Sequence, residues 1–206
     1  MKQNRLTRYT NLPVLLDILC NKELTLLNPI SWDDRNDSYY LEVYKQRKKL
    51  KTLLALCFTT KGETYHHWRV FSHGSSGVCI RFKKDRLLKY FNRVRGIESD
   101  YVLYRWIHEL TSNPPDVDEL PFLKRKAYKD EGEFRVIYEN KSKEMESKSI
   151  PFGLECIQGI ILSPWLPDTV KGTVKKIIKD IPDCSKLKVS KTTLVENEIW
   201  KKISGN

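Results

Sequence analysis

The 206-residue sequence has no C-x-x-C pair, and its five cysteines are an odd number of which three lie in apolar, strand-like runs. This usage argues against a disulfide framework and against a structural zinc site, and we assign no metal ligand. No apolar run approaches the ~18 residues that a membrane-spanning helix needs. The polar start MKQNRLTRYTN predicts no signal peptide, so we expect a cytoplasmic protein.

Internal repeats and low-complexity linkers are also missing from the chain. A hydrophobic fraction of 40% with 11% aromatic residues is typical of a globular protein. A chain of this length can bury a full hydrophobic core without the help of disulfides or structural metal ions. We therefore expect one domain over residues 1–206.

Acidic residues are outnumbered, since 37 Lys and Arg face 26 Asp and Glu, for a formal net charge of +11. A surface of this sign attracts polyanions, so nucleic acid, an anionic membrane, an acidic partner or a phosphate-bearing cofactor would fit. The alternative is a lysine-rich surface that serves solubility only.

The pattern of apolar residues predicts an α+β fold with a mixed, mostly antiparallel central sheet and flanking helices. Helices and strands mix without a strict βαβ rhythm, which disfavours a doubly wound sheet. The predicted strands are Leu24–Leu27, Leu53–Thr59, Gly77–Phe82, Glu133–Tyr138, Cys156–Leu162 and Leu187–Val189. The predicted helices are Leu12–Cys20, Tyr39–Lys51, Arg86–Phe91, Tyr101–Leu110 and one capped by Asp168, with polar loops at Trp32–Asp37 and at residues 61–76.

The best candidate for an active site is the acidic pair Glu131 and Glu133, separated by Gly132. Residues two apart on a strand share a face, so the carboxylates project together if the extended conformation begins by Glu131. Two such carboxylates repel, which should raise one pKa, and they can bind a ribose hydroxyl, act as a base or stabilise a cationic transition state. The alternative is an exposed acidic turn balanced by neighbouring cations. These are Lys124, Arg125, Lys126 and Lys129.

Two further segments carry groups suited to a nucleotide. Arg8 precedes the first helix, where an arginine can bind a phosphate with the help of the helix dipole. The alternative is an ordinary surface arginine. Thr59 ends a buried strand and can orient a ligand, and Trp68 offers a ring for stacking.

The ordered segments resemble the bacterial family called domain of unknown function 2971. The matching stretches run from about Leu6 to Leu194. They are LTRYTN, LTLLNPISWDD, ALCFTT, HHWRVFSHGSSGVCIRF, FLKRKAYKDEGEFRVIY, IQGIILSPW and KVSKTTL.

A looser resemblance is to ADP-ribosyltransferases of the Arg–Ser–Glu type, which include DNA-modifying toxins of bacterial defence. Those enzymes carry an early arginine, a strand end with Ser or Thr, and a Glu-x-Glu loop that opens a late strand. Arg8, Phe58-Thr59-Thr60 and Glu131-Gly132-Glu133 occur here in that order, with Cys-Phe-Thr where the motif has Ser-Thr-Ser. The resemblance implies an ADP-ribosyltransferase-like fold.

This resemblance also implies an NAD site, in which NAD is a consumed substrate. Arg8 would bind the pyrophosphate, Thr59 would position the nicotinamide ribose, and Trp68 or Tyr9 would stack on nicotinamide. No Rossmann fingerprint is needed for such a site, and none is present.

The resemblance gives the two glutamates separate roles. Glu133 would hold the ribose 2′-hydroxyl and stabilise the oxocarbenium-like state, while Glu131 would orient or deprotonate the acceptor. Arg135 and Lys129 are the candidates for contacts with that acceptor.

The sequence thus predicts an NAD-consuming ADP-ribosyltransferase, a toxin or phage-defence effector that modifies nucleic acid or protein. The expected partners are NAD, an RNA or DNA acceptor and an antitoxin protein, with no membrane. One alternative is a metal-dependent nuclease that uses the aspartates of residues 32–37 with the glutamate pair. The other is a nucleic-acid-binding module without turnover.

Overall fold

The computed structural model describes residues 4–72 and 74–203 of the chain. Helices and strands alternate irregularly along the sequence. The first half contains β1 (Arg5–Asn11), α1 (Leu12–Asn21), β2 (Glu23–Leu27), α2 (Arg35–Arg47), β3 (Thr52–Thr59), α3 (Tyr65–Phe71), β4 (Gly77–Lys83), α4 (Lys84–Phe91) and β5 (Ile97–Tyr101). The second half contains β6 (Leu103–Arg105), α5 (Ile107–Ser112), β7 (Leu123–Arg125), β8 (Glu133–Asn140), β9 (Ser147–Pro151), β10 (Ile157–Leu162), α6 (Asp168–Asp180), β11 (Val189–Lys191) and α7 (Glu198–Ile203).

The chain divides into two compact units, which we describe separately. Unit 1 comprises Met1–Lys22, Gly62–Lys84 and Gly153–Asn206, and unit 2 comprises Glu23–Lys61 and Asp85–Phe152. The prediction of a single domain over residues 1–206 stays a prediction.

The sheet of unit 1 has the strand order β11-β10-β4-β1. β1 and β10 each pair with β4 in antiparallel fashion, whereas β10 and β11 are parallel. One part of its core is formed by Tyr9, Trp68, Cys79 and Ile161. In α1, the Asn11 side chain accepts a hydrogen bond from the Val14 backbone (3.0 Å), which caps the helix as Asn at this position commonly does.

The sheet of unit 2 has the order β5-β8-β3-β2-β9 with antiparallel pairing throughout. β3 and β8 each have a partner on both sides in this sheet, and their apolar residues are buried on both faces. A separate parallel pair joins β6 to β7. One face of this sheet packs against α2. The core cluster at this face consists of Leu41, Tyr44, Leu50, Leu53, Ala55, Leu120 and Ile137.

The predicted α+β class with mixed, mostly antiparallel pairing is confirmed by these elements. Three assignments were wrong. Residues 101–110 were predicted as one helix but form the end of β5, then β6 and the start of α5. The predicted loop of residues 61–76 contains α3, and the predicted loop Trp32–Asp37 ends in the first turn of α2, where the Asp34 side chain accepts from the Asn36 and Asp37 backbones.

Candidate active site

The glutamate pair lies at the junction between a 3₁₀ turn, Lys126–Glu131, and strand β8. Gly132 adopts a left-handed conformation with φ 54°, so the condition stated for a shared strand face, an extended chain from Glu131, is not met. The carboxylates nevertheless converge on one cation. Lys124 Nζ lies 2.6 Å from Glu131 Oε2 and 3.4 Å from Glu133 Oε2. A turn, rather than strand periodicity, therefore brings the two carboxylates together.

Arg135 is the central cation of a buried cluster in unit 2. Its Nη1 and Nη2 donate to Asp37 Oδ1 (2.8 Å) and Oδ2 (2.6 Å), and Nε and Nη2 donate to Glu133 Oε1 (2.7 Å) and Oε2 (3.1 Å). Nη1 also donates to the Pro121 carbonyl, and the guanidinium lies 5.0 Å from the Trp32 ring centroid. With 0% of its surface exposed, Arg135 holds the site together instead of reaching an acceptor as expected from the sequence.

The cluster is not electrically balanced. It contains three carboxylates, Asp37, Glu131 and Glu133, against the two cations Lys124 and Arg135. Burial alone would raise the pKa of Glu133, but the charge and hydrogen bonds of Arg135 outweigh burial and lower this pKa to about 2. Burial raises the pKa of Glu131, and the charge of Lys124 only partly opposes it. Glu131 is therefore the carboxylate of the pair that is more easily protonated.

Thr59 ties the end of β3 to the glutamate loop. Its hydroxyl donates to the Glu131 carbonyl (2.6 Å) and accepts from the Lys61 backbone (3.0 Å). The Thr60 backbone and hydroxyl both donate to the Gly132 carbonyl (2.8 and 2.9 Å). Through these two bonds to the backbone, Thr59 fixes the loop that carries Glu131. Its contact with the nicotinamide ribose stays a prediction.

Tyr104 is a member of the site that the sequence did not reveal. Its hydroxyl accepts a hydrogen bond from the Glu133 backbone (2.8 Å), and it lies opposite Lys124 in the parallel pair of β6 and β7. Because residues 103–105 were predicted as helical, the sequence did not predict that Tyr104 pairs with Lys124. Asp37 was missed as a partner because it lies 98 residues before Arg135. Lys124 was named only as a cation balancing an exposed turn, because lysine-rich segments give no signal of burial.

A cavity of about 590 Å³ opens beside this cluster within unit 2. Asp37 and Lys124 belong both to the cluster and to the cavity wall, which continues with Tyr39 and Tyr40 of α2 and Arg125 of β7. Volumes of this order are typical of small-molecule sites. Lys129, predicted to contact the acceptor, is exposed on the 3₁₀ turn before Glu131, and that role stays a prediction.

The other predicted NAD-binding residues lie in unit 1. The Tyr9 ring packs edge-on against Trp68 (5.1 Å between centroids) and stacks on His67 (5.5 Å). Trp68 is completely buried, and its Nε1 donates to Glu63 Oε1 (2.7 Å). Arg8 is half-buried on β1, and as the neighbour of Tyr9 on a strand it points to the opposite face. Tyr9 and Trp68 are thus brought together, and the nucleotide roles of all three residues stay predictions.

In the described ranges, 4–72 and 74–203, no group of three or more His, Cys, Asp or Glu side chains is arranged to hold a metal ion. The carboxylates of Asp37, Glu131 and Glu133 instead face Arg135 and Lys124. Across the same residues, no helix has both the length and the apolar character needed to cross a membrane.

No family model matches the chain, and no curated protein matches it. Membership in the family called domain of unknown function 2971 therefore stays a prediction. Three solved structures are similar to 93% of this chain at 14% identity, all of Thermus sp. 2.9 DarT. They are the complexes with carba-NAD+ (97% of that chain, TM-score 0.47), with NAD+ (96%, 0.47) and with ADP-ribosylated ssDNA (95%, 0.46).

Proposed function

We propose that this protein is an NAD-consuming ADP-ribosyltransferase whose two reactive carboxylates stand at the start of β8. The observation that carries the proposal is the bonding of the Thr59 strand end to the Glu131-Gly132-Glu133 loop. These are two successive parts of the Arg–Ser–Glu pattern, and 72 residues separate them in the sequence. Their direct contact supports a common site.

The charges of the pair suit the cleavage of a glycosidic bond. Glu133 has a pKa of about 2 and is ionised at neutral pH, so it can stabilise an oxocarbenium-like state at C1′ of the nicotinamide ribose. The bond from C1′ to the nicotinamide nitrogen breaks, and nicotinamide leaves with the bonding electrons. The acceptor nucleophile bonds to C1′ and gives its proton to Glu131.

The acceptor that we propose is nucleic acid, because a net charge of +11 attracts phosphates independently of sequence. The labelled pools of RNA, DNA and protein in the experiment below distinguish the possible acceptors. The toxin or phage-defence role, the antitoxin partner and the cytoplasmic location stay predictions.

The buried cluster supports an enzyme over the two alternatives. A nuclease gathers carboxylates around metal ions, whereas here the cations Lys124 and Arg135 already lie among the three carboxylates of the cluster. A binding module has no use for a buried and incompletely neutralised carboxylate such as Glu131, whereas perturbed carboxylates are typical of active sites.

The test is transfer of label from adenine-labelled NAD to separate pools of RNA, single-stranded DNA, duplex DNA and protein. The wild type is compared with Glu133→Gln and with Glu144→Gln, a matched control at an exposed position of unit 2. We expect transfer by the wild type and the control, and a loss of roughly 100-fold or more in Glu133→Gln. Absence of both transfer and nicotinamide release in all three proteins contradicts the proposal.

A further inference from the structure

We propose that Lys124 is a positioning residue that holds Glu131 beside Glu133 and keeps Glu131 negatively charged, so that Glu131 can take the proton of the acceptor. This inference rests on the proposed function and deepens it. Lys124 Nζ contacts Glu131 Oε2 at 2.6 Å, Glu133 Oε2 at 3.4 Å and Asp37 Oδ2 at 3.5 Å. One ammonium thus joins carboxylates from α2, from the 3₁₀ turn and from β8.

Lys124 is not an ordinary surface lysine. Only 9% of its side chain is exposed, and lysine is rarely buried unless it is paired. Its ammonium also lies 4.9 Å from the Tyr128 ring centroid. Burial would lower its pKa, but Glu133, Asp37 and Glu131 outweigh burial and raise the pKa, so Lys124 stays charged over the range in which carboxylates titrate.

The two glutamates depend on Lys124 to different degrees. Glu133 has its own cation, because Arg135 binds both of its carboxylate oxygens. Glu131 receives its ion pair from Lys124. Loss of the Lys124 charge should therefore change Glu131 far more than Glu133.

Burial and the neighbouring carboxylates oppose the ionisation of Glu131, whereas Lys124 favours it. Burial raises its pKa most, Lys124 lowers it, and the nearby charges of Glu133 and Asp37 raise it. Groups from several elements face this carboxylate or its loop. They are Lys124 of β7, Glu133 of β8, Asp37 of α2, Tyr104 of β6 and Lys61, which follows β3.

A base must be deprotonated to accept a proton, so the rate of transfer should rise with pH through the pKa of Glu131. An opposite charge at this distance lowers a carboxyl pKa by about one to three units. Removal of the charge should move the rising part of the pH–rate profile upward by about that amount. At pH values below the pKa of Glu131, the rate of transfer should fall by roughly tenfold for each unit of pH.

The experiment measures label transfer from NAD against pH for Lys124→Met, Lys124→Gln and Lys124→Arg. Lys141→Met, at an exposed position after β8, removes the same charge elsewhere in unit 2 and serves as the matched control. We expect the upward shift in the Met and Gln variants, with a profile close to wild type in Lys124→Arg and in the control. If Lys124→Met does not fold, Lys124→Gln, which keeps a polar side chain, still provides the pH profile without the charge.

A further measurement needs no change at Lys124. Glu131→Gln should lose the rising part of the profile altogether, and its persistence in that variant overturns the inference. An unshifted profile in folded Lys124→Met or Lys124→Gln, with any loss of rate uniform across pH, assigns Lys124 a structural role and also overturns it. An inactive wild type contradicts the proposed function instead, so the two failures are distinguishable.

Discussion

Arg135 shows how one residue determines the geometry of the site. It is fully buried and binds both oxygens of Asp37 and both oxygens of Glu133. Charge-assisted, bidentate contacts of this kind fix orientation as well as position. Glu133 is consequently held in a single orientation before any ligand arrives.

Replacement of Arg135 by Met should destabilise the protein strongly, because Asp37 and Glu133 would remain buried without their partner. We expect the free energy of unfolding to fall by about 3–5 kcal/mol, measured by urea denaturation near pH 7. Arg95→Met, at an exposed position, should change it by less than about 0.5 kcal/mol. Equal effects of the two substitutions would contradict the described cluster.

The low pKa of Glu133 predicts a specific dependence of stability on pH. A folded-state pKa of about 2, below the ordinary 4.5, means that ionised Glu133 stabilises the fold above pH 4.5 and that this stabilisation is lost as the pH falls toward 2. The shift corresponds to about 3 kcal/mol. Glu133→Gln should therefore be less stable than wild type at pH 6, by an amount that shrinks between pH 4.5 and 3, as followed by urea titrations. A constant difference across that range would show that Glu133 is not paired as described.

At the scale of elements, the turn between the 3₁₀ segment and β8 is what unites the glutamates. Gly132 takes a positive φ of 54°, and a Cβ at this position would lie 2.5 Å from Lys61 Cγ. Gly132→Ala should therefore lower stability by about 1–2 kcal/mol through backbone strain, while the exposed Lys61 side chain can move aside. Thermal unfolding measures the change.

Gly172 provides the opposite case for the same substitution. It lies inside α6, and a Cβ there would meet nothing within 4 Å. Gly172→Ala should raise stability by roughly 0.5–1 kcal/mol, because alanine favours a helix over glycine. A loss of stability there, or a gain at Gly132, would contradict these backbone assignments.

Elements with strong local signals could be predicted from the sequence. The apolar runs of β3 and β4 and the alternation in β8 identified these strands to within one or two residues at each end. α3 was missed because a seven-residue helix with five exposed positions has no clear apolar face. β6 was assigned to a helix because three residues are too few to show a period.

The candidate site could be predicted only in part, because only some of its residues are neighbours in the sequence. Glu131 and Glu133 stand out because they are neighbours in the sequence. Asp37, Lys124 and Tyr104 join them through tertiary contacts, such as the pairing of β6 with β7 that places Tyr104 opposite Lys124. No local pattern marks a lysine or an aspartate that folding will bury.

At the scale of the whole molecule, the net charge of +11 determines what the surface attracts. Binding to single-stranded nucleic acid should weaken steeply with salt, with log K falling linearly in log[salt] and a slope steeper than about −3, as expected when several phosphates are contacted. Fluorescence anisotropy at increasing NaCl concentrations measures the slope. Glu133→Gln should leave it unchanged, since Glu133 is buried, and binding that is insensitive to salt would contradict an electrostatic acceptor surface.

We propose that the glutamate pair cleaves NAD and that its two members have separate roles. The most direct measurement is the single-turnover release of nicotinamide, together with transfer of ADP-ribose, by wild type, Glu131→Gln and Glu133→Gln in the presence of nucleic acid. We predict that Glu133→Gln abolishes both, whereas Glu131→Gln still releases nicotinamide slowly and transfers ADP-ribose at a strongly reduced rate that no longer rises with pH. Unchanged release of nicotinamide by Glu133→Gln, or no release by the wild type, would contradict the account.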